Sequence, residues 1–367
     1  RMISTRAADN GVYVAYLNMV GGQDELVFDG ASLVCDMAGE VTARGAAFAE
    51  DLVIADLNVD AVFRSRLRDP RPRKENSTIL QEIGIPKLLH VSDAPLFKSP
   101  NSQMAPVAKC MDVVEEVYHA LVLGTRDYMH KSGFKKWLLG LSGGIDSALT
   151  ATVAVDALGK ENVVGVTMPS RYSSEGSVSH SKDLAERLGI DIWVVPIEPA
   201  HIAFTDMLGK YFEGTQPNVA EENVQARIRG NVLMTISNKF GWIVLTTGNK
   251  SEMAMGYATL YGDMAGGFAV IKDVPKTLVY ELCQWRNQNG DPRPAIPEAI
   301  IDKAPSAELR PDQLDADTLP PYDLLDPIVK AYVEEDYSYQ DLLDMGFAEV
   351  SVRQVISFVD RNEYKRR

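Results

Sequence analysis

Beyond residue 105 the chain alternates between short, largely apolar runs and longer segments whose apolar residues recur at helical spacing. A helix near 106–131 leads in. Strands are predicted over 137–141, 162–168, 191–196 and 242–246, with helices over 148–158, 175–188 and 220–240. After about residue 297 the pattern is mostly helical, and it ends among Arg361, Lys365, Arg366 and Arg367. Strands that alternate with helices predict a parallel sheet covered on both faces. In such sheets a ligand binds beyond the carboxyl ends of the strands. The polar clusters 142–147 and 246–252 follow the first and fourth strands, where that ligand would sit. On the 220–240 helix, Val224, Ile228, Val232 and Ile236 form an apolar stripe that suits either the core or an interface.

Residues 1–60 have a different texture. Short β-type runs fall at 12–18, 25–27, 31–35 and 52–56, with turn signals at Gly21-Gly22, Asp29-Gly30 and Ala38-Gly39. Over 61–104, Arg64, Arg66, Arg68, Arg71, Arg73 and Lys74 crowd around Pro70 and Pro72, and Pro86, Pro95 and Pro100 follow. This reads as an irregular connector with a solvated basic face rather than an anion site. The expected organisation is therefore 1–60, a linker over 61–104, and 105–367.

The chain has 367 residues, enough for about two domains. A net charge of −14 argues against a broad nucleic-acid surface. No apolar run approaches the ~20 residues of a membrane span. Residue 1 is Arg and no signal-peptide pattern follows, so the sequence is expected to be an excerpt that lacks its beginning. Cys35, Cys110 and Cys283 lie far apart, which suggests neither a zinc site nor a disulfide framework and fits a reducing, cytoplasmic setting. His90, His119, His130, His180 and His201 match no metal spacing.

Candidate chemistry begins at Ser142-Gly143-Gly144-Ile145-Asp146-Ser147. A strand, a glycine-rich turn and a helix start together make an anion cradle, because amides and the helix dipole converge there. Ser142 and Ser147 add hydroxyl donors. Asp146 would repel bare phosphate, so a divalent cation is expected to bridge the two. The Lys-Ser/Thr ending of a Walker A loop is missing. The segment instead resembles the Ser-Gly-Gly-x-Asp-Ser loop of the ATP-pyrophosphatase enzymes.

The resemblance narrows further downstream. Gly140–Ser147, Glu221–Arg229, Thr246–Glu252, Gly256–Asp263, Asp273–Thr277 and Lys303–Leu309 resemble, in order, the synthetase domain of the NAD synthetase family. Residues 16–30 resemble the carboxyl-terminal part of a nitrilase-type glutaminase domain. The implied fold is a Rossmann-like parallel sheet with helices on both faces, of the ATP-pyrophosphatase type. A β-rich remnant of a nitrilase-like αββα domain precedes it.

The implied activity is amidation of deamido-NAD to NAD through an acyl-adenylate, releasing AMP and pyrophosphate. In the full-length enzyme glutamine would supply the ammonia. Family position assigns ATP to Gly140, Leu141, Ser142, Gly143, Gly144, Ile145, Asp146, Ser147, Thr247, Lys276 and Ser306. Asp146, Ser142 and Ser147 are the catalytic positions, and Asp146 and Glu252 the Mg2+ ligands. Met168-Pro169-Ser170 marks the expected passage of the adenosine. Deamido-NAD is expected at Arg227, Asp263, Lys272, Tyr364 and Lys365, in a site shared between subunits of a homo-oligomer. Leu260 stands where the ammonia-dependent enzymes carry a lysine, and Tyr364 where they carry a histidine. The glutaminase Glu, Lys and Cys positions lie upstream, so no glutaminase triad falls within this chain, and Cys35 is a structural residue. Another amidating ATP-pyrophosphatase, such as GMP or asparagine synthetase, or a tRNA-modifying one, is the alternative; the acidic balance and the downstream motifs weigh against it.

Overall fold

The computed structural model describes residues 1–68, 87, 89–90, 106–216, 218–311 and 313–366. These fall into two units, Arg1–Met111 and Asp112–Arg367. Most of the 61–104 connector, including Arg71, Arg73 and Lys74, lies outside the described residues.

The first unit opens with a helix, α1 (Met2–Asn10), ahead of the first predicted β-type run and absent from the sequence reading; Gly11 ends it in the left-handed conformation. Strands β1 (Val14–Tyr16), β4 (Leu33–Cys35) and β5 (Val41–Arg44) form an antiparallel sheet, and β2 (Val20–Gln23) pairs with β3 (Leu26–Asp29). One turn and one strand differ from the sequence reading. Gly21 and Gly22 lie within β2, and the chain reverses at Asp24-Glu25, where Asp24 takes the positive φ of 51°. The 52–56 run is not a strand, and Leu52 and Ile54 are exposed. β4 pairs with β1 and with β5, the latter reached through a turn in which Asp36 Oδ1 accepts from the amides of Ala38 and Glu40 at 2.9 and 3.0 Å. Val59–Arg68 forms α2, so Arg64, Arg66 and Arg68 sit on a helix rather than in a loop.

The second unit carries the parallel sheet. Its strands are β6 (Trp137–Gly140), β7 (Val163–Thr167), β8 (Asp191–Val194), β9 (Ile243–Thr246) and β10 (Phe268–Ala269), in the order β10-β9-β6-β7-β8. The last strand has two residues, too short to register as a periodic pattern. The lead-in helix runs Val113–Ser132 rather than from 106, because Asp112 caps it by accepting from Glu115 N at 2.9 Å. A helix over Glu198–Phe212, absent from the sequence reading, crosses from β8 toward the long helix Val219–Phe240.

Alternation along β6 sends neighbouring side chains to opposite layers. Trp137 and Leu139 join Ile145–Leu158 and the helices Val113–Ser132, Glu175–Leu188 and Lys276–Asn289. Leu138 joins Val164, Val166, Ile228 and Leu233 on the other face. Val224, Val232 and Ile236 pack against that second core, so the stripe on the long helix serves the interior. A third cluster gathers Tyr322–Val329, Tyr339–Asp344 and Glu349–Arg361. Among the described residues no helix is long and apolar enough to cross a membrane.

The topology fixes the place of a ligand. The chain moves from β6 outward to β7 and β8, then returns to the other side of β6 as β9. The crevice beyond β6 and β9 is therefore the switch point of the sheet.

One polar hub ties the first helical layer together. The fully buried Arg286 donates from Nε and NH2 to Asp156 at 2.6 and 2.8 Å and to the carbonyls of Asp291 and Pro292. Tyr118 donates to the same carboxylate. Arg286→Ala should lower unfolding free energy by roughly 2–4 kcal/mol, somewhat below the ~3–5 kcal/mol for removing one partner of a fully buried pair, because Asp156 is partly exposed. Urea denaturation checks it. An Asp156→Leu/Arg286→Met double variant should recover part of the loss, because it leaves no unpaired charge.

Candidate active site

A pocket of about 260 Å³ lies at the switch point, lined by the 140–147 loop, Thr246 and Thr247, Glu252, Lys276 and the 303–309 segment. The loop is shaped by one glycine in particular. Gly143 has φ +73°, and a Cβ there would lie 2.4 Å from the carbonyl oxygen of Ser177. Only glycine permits both the turn and this approach. Gly144 is the N-cap of the helix that follows and, lacking a side chain, leaves the first amides uncapped. Ser147 Oγ donates to Gly144 O at 2.9 Å and lies 3.2 Å from Ser142 Oγ. Two hydroxyls and a bare helix N-terminus therefore surround one point.

The charged centre is built from four elements. Asp146 lies in the first turn of the loop's helix, and Lys276 opens the helix after Pro275. Lys276 Nζ pairs with Asp146 Oδ2 and stands 3.8 Å from Glu252 Oε1. The lysine is 2% exposed, and its ammonium lies 5.5 Å from the ring centre of Tyr322. Asp146 Oδ1 accepts from Asn249 Nδ2 at 2.8 Å. Asn249 also caps the short helix Lys250–Met255 by accepting from Glu252 N at 2.9 Å. One buried side chain thus sets Asp146 and Glu252 together. Asp326 supports the same centre: its carboxylate accepts from Ser251 Oγ and, at 2.9 Å, from both Thr277 N and Thr277 Oγ1. Ser251 Oγ accepts in turn from Lys276 N.

This loop and ion-pair centre lie within residues 117–367, which match the family model described as NAD synthase. The chain belongs to the NAD synthase family. Residues 1–66 match the carbon-nitrogen hydrolase model. Over its full length the chain is 48% identical to a glutamine-dependent NAD(+) synthetase of Thermotoga maritima and 47% identical to one of Aquifex aeolicus. It spans 62% and 63% of their lengths. Among solved structures, it is similar to the glutamine-dependent NAD+ synthetase of Acinetobacter baumannii in complex with ADP. There the TM-score is 0.69 and the identity 40%, covering 100% of this chain and 59% of that one. It is also similar to an NMN synthetase of Francisella tularensis, with TM-score 0.59 and 27% identity, covering 69% of this chain and 96% of that one.

Of the residues that the family resemblance singles out, the pocket collects Gly140, Leu141, Ser142, Gly144, Ile145, Asp146, Ser147, Thr247, Glu252, Asp263, Lys276 and Ser306. Gly143 stands behind the loop, against Ser177. Met168 and Pro169 line the pocket where the adenosine was expected. Arg227 does not line it: the side chain is exposed and its Nε donates to Leu260 O at 3.2 Å. Lys272 and Tyr364 are exposed as well. Lys365 Nζ donates to the carbonyls of Gly256 and Ala258.

The pocket adds residues that motif reading passed over. Arg229, two positions beyond Arg227, lines it and donates from Nε to Met168 O at 3.1 Å. Burial pulls its pKa down, against the charges of Glu308 and Asp263. Helical spacing separates Arg227 and Arg229 by about 200°, so only one of them can face the sheet. Glu308 accepts from Lys303 Nζ at 2.9 Å, Ser174 Oγ at 3.0 Å and Ser177 Oγ at 2.7 Å, which fastens the 303–309 segment beside the loop. Asn249 was legible as part of a capping box, Asn249-Lys250-Ser251-Glu252, but its bond to Asp146 was not.

The electrostatics favour an additional cation. Burial and the neighbouring Asp146 push the Glu252 carboxyl up to about 8, in spite of Lys276. Burial works against the Lys276 ammonium, yet Asp146 and Glu252 hold its pKa well above the ordinary lysine value. Asp146 and Glu252 offer hard oxygens of the kind Mg2+ takes, and no third carboxylate, histidine or cysteine groups with them as a ligand set among the described residues. That suits Mg2+, which is often held by one or two carboxylates with phosphate oxygens and waters completing the shell.

Asp263 yields a pH prediction. Burial raises its carboxyl to about 6, opposed by the Thr259 amide and Lys365. The folded pKa lies above that of a free aspartate. Between pH ~4 and ~6 the folded protein therefore binds more protons than the unfolded chain, and this group's contribution to stability falls as pH rises. Asp263→Asn should remove that slope, leaving the melting temperature higher than the parent's at pH 7 and close to it near pH 4. Thermal unfolding across the range checks it.

Proposed function

We propose that the chain carries the synthetase half of a glutamine-dependent NAD synthetase. It amidates deamido-NAD to NAD at the expense of ATP, through an acyl-adenylate. The observation that carries this reading is the Asp146–Lys276–Glu252 centre beside an uncapped helix N-terminus, within a chain that matches the NAD synthase family over 117–367. The ADP complex described for the Acinetobacter baumannii relative supports a nucleotide in this pocket.

The nicotinate carboxylate has no good leaving group. Its oxygen attacks the α-phosphorus of ATP, the bond to pyrophosphate breaks, and the acyl carbon becomes open to ammonia. Nitrogen then bonds to that carbon, AMP leaves with the oxygen, and the extra proton is lost. Such chemistry needs charge neutralisation and alignment more than a protein nucleophile. Ser142, Ser147 and the amides of the first helical turn hold the phosphate chain, with Thr247 and Ser306 at its flanks. Lys276 sets a fixed positive charge beside them. Asp146 and Glu252 would hold Mg2+, and the ion would supply neutralisation for negative charge on the phosphate chain. Arg229 and Asp263 orient the dinucleotide at the inner wall. The exposed Arg227, Lys272 and Tyr364 support completion of that site by a second copy of the chain, and a monomeric mass in analytical ultracentrifugation would remove this part of the reading.

The decisive assay follows NAD from deamido-NAD and ATP with either ammonia or glutamine, and with the corresponding mononucleotide as a competing acceptor. The 367-residue chain should use ammonia and not glutamine, since the family's glutaminase triad is expected outside it. Glutamine-driven turnover free of contaminating ammonia would overturn that expectation, and preference for the mononucleotide would replace the substrate.

Asp146→Asn should slow pyrophosphate release by at least ~100-fold while circular dichroism stays unchanged, the scale of losing a principal transition-state charge contact. The fold should survive because Asn keeps the shape of the side chain and Glu252 remains beside Lys276. Near-parental turnover would exclude Asp146 from the centre.

A further inference from the structure

The short helix Lys250–Met255 carries Glu252 at one end and runs at the other into the 256–263 segment, whose Tyr257 and Asp263 line the pocket. A helix of six residues cannot satisfy its own last carbonyls. Asn362 Nδ2 donates to Met255 O at 2.9 Å. Arg366 NH1 donates to Ala254 O at 2.8 Å and to Met253 O at 3.3 Å. Lys365 Nζ donates to Gly256 O at 2.6 Å and to Ala258 O at 2.9 Å. Five consecutive or near-consecutive carbonyls are thus held by three side chains from one stretch, and two of those side chains are cations at the negative end of a helix. The packing is close: Gly256 has φ +68°, and a Cβ there would lie 2.2 Å from Asn362 Cβ. Arg366 also folds back onto Val359 O and Glu363.

We infer that Asn362–Arg366 is a clamp that fixes the Glu252 helix and the 256–263 segment against the pocket, so that Lys365 and Arg366 are positioning residues for the second substrate. The inference rests on the functional reading above. It gives Lys365 a role through the backbone it holds, beside the dinucleotide contact that the family resemblance implies for it. Two of the three Nζ protons are already engaged by carbonyls, and the carbonyls belong to the segment that presents Tyr257 and Asp263. Freeing them would leave Asn249 and the Asp146 contact intact at the helix start while loosening everything beyond Met255.

The test compares the 367-residue chain with its Lys365→Met, Arg366→Met and Lys365→Arg variants. Peptide-resolved hydrogen exchange is measured without ligands, and KM and kcat are measured for deamido-NAD and ATP. Both Met variants should exchange about tenfold faster over 250–263, with 137–158 unchanged, as expected for a local opening. KM for deamido-NAD should rise about tenfold, equivalent to ~1.4 kcal/mol, while KM for ATP and kcat stay within about threefold. Lys365→Arg should restore both readouts. A raised KM with unchanged exchange would mean that Lys365 touches the substrate directly and would overturn the clamp. Faster exchange with unchanged KM would overturn the positioning role. If the parent protein makes no NAD, the functional reading fails, while the exchange comparison still decides whether the clamp exists.

Discussion

The second unit is organised around a lysine that ought not to be buried. Taking an ammonium out of water costs several kcal/mol unless close, well-hydrogen-bonded partners offset it. Lys276 meets that condition through Asp146 and Glu252, which come from opposite sides of the switch point. The pair can form only if the helix after β6, the helix after β9 and the helix at Lys276 all start at the same place. Asn249 joins the first two, and Asp326 joins the second and third through Ser251 and Thr277. The third hydrophobic cluster, far along the chain from the phosphate-type loop, is thereby made part of the site. Helix starts are fixed by side chains that are themselves fully hydrogen-bonded, which is how a site is held to tolerances that loops alone do not give.

Much of this fold could be read from residue patterns, and the exceptions have physical causes. The helix Glu175–Leu188 and the four longer strands of the sheet were legible because their apolar periods are long and bounded by strong signals. The two-residue β10 carries no period at all. The helix Glu198–Phe212 was hidden because its apolar positions do not confine themselves to one side: Ile202, Met207 and Tyr211 are exposed. In the first unit the strand runs are three or four residues long, so a glycine pair in β2 and an apolar pair at Leu52 and Ile54 were enough to mislead. Register there is set by tight turns built on Asp24 and Asp36, and those are decided by single side-chain or backbone conformations.

The site was legible in a different proportion. Motif order brought together the loop, Thr247, Glu252, Lys276 and Ser306, all of which reach one pocket. It could not distinguish Arg227 from Arg229, since both sit in the same short motif and only the phase of the helix separates them. Nor could it see that Lys365 is engaged by backbone carbonyls more than a hundred residues away in sequence. Long-range hydrogen bonds of this kind leave no local pattern. They involve residue types, Asn, Lys and Arg, that on any helix would first be read as solvated surface.

The charge inventory explains why the cradle takes the form it does. A chain of net charge −14 cannot attract a polyphosphate through its overall field. The pocket is itself acidic: Asp146, Glu252, Asp263, Glu308 and Asp315 all line it, against Lys276, Lys303 and Arg229. The positive potential has to be local and directional, which is what an uncapped helix N-terminus and a lysine locked in place provide. The strain in this balance shows in the carboxyls themselves. Burial drives Glu252 and Asp263 upward, while hydrogen bonds from Ser177 and Lys303 hold Glu308 down in spite of its burial. A hard cation entering beside Asp146 and Glu252 would relieve the first of these and, in the same step, turn a repulsive pair of carboxylates into the anchor for the phosphate chain. On the proposed function, acidic residues at a phosphate site are therefore no contradiction; they would make nucleotide binding conditional on the metal that accompanies it.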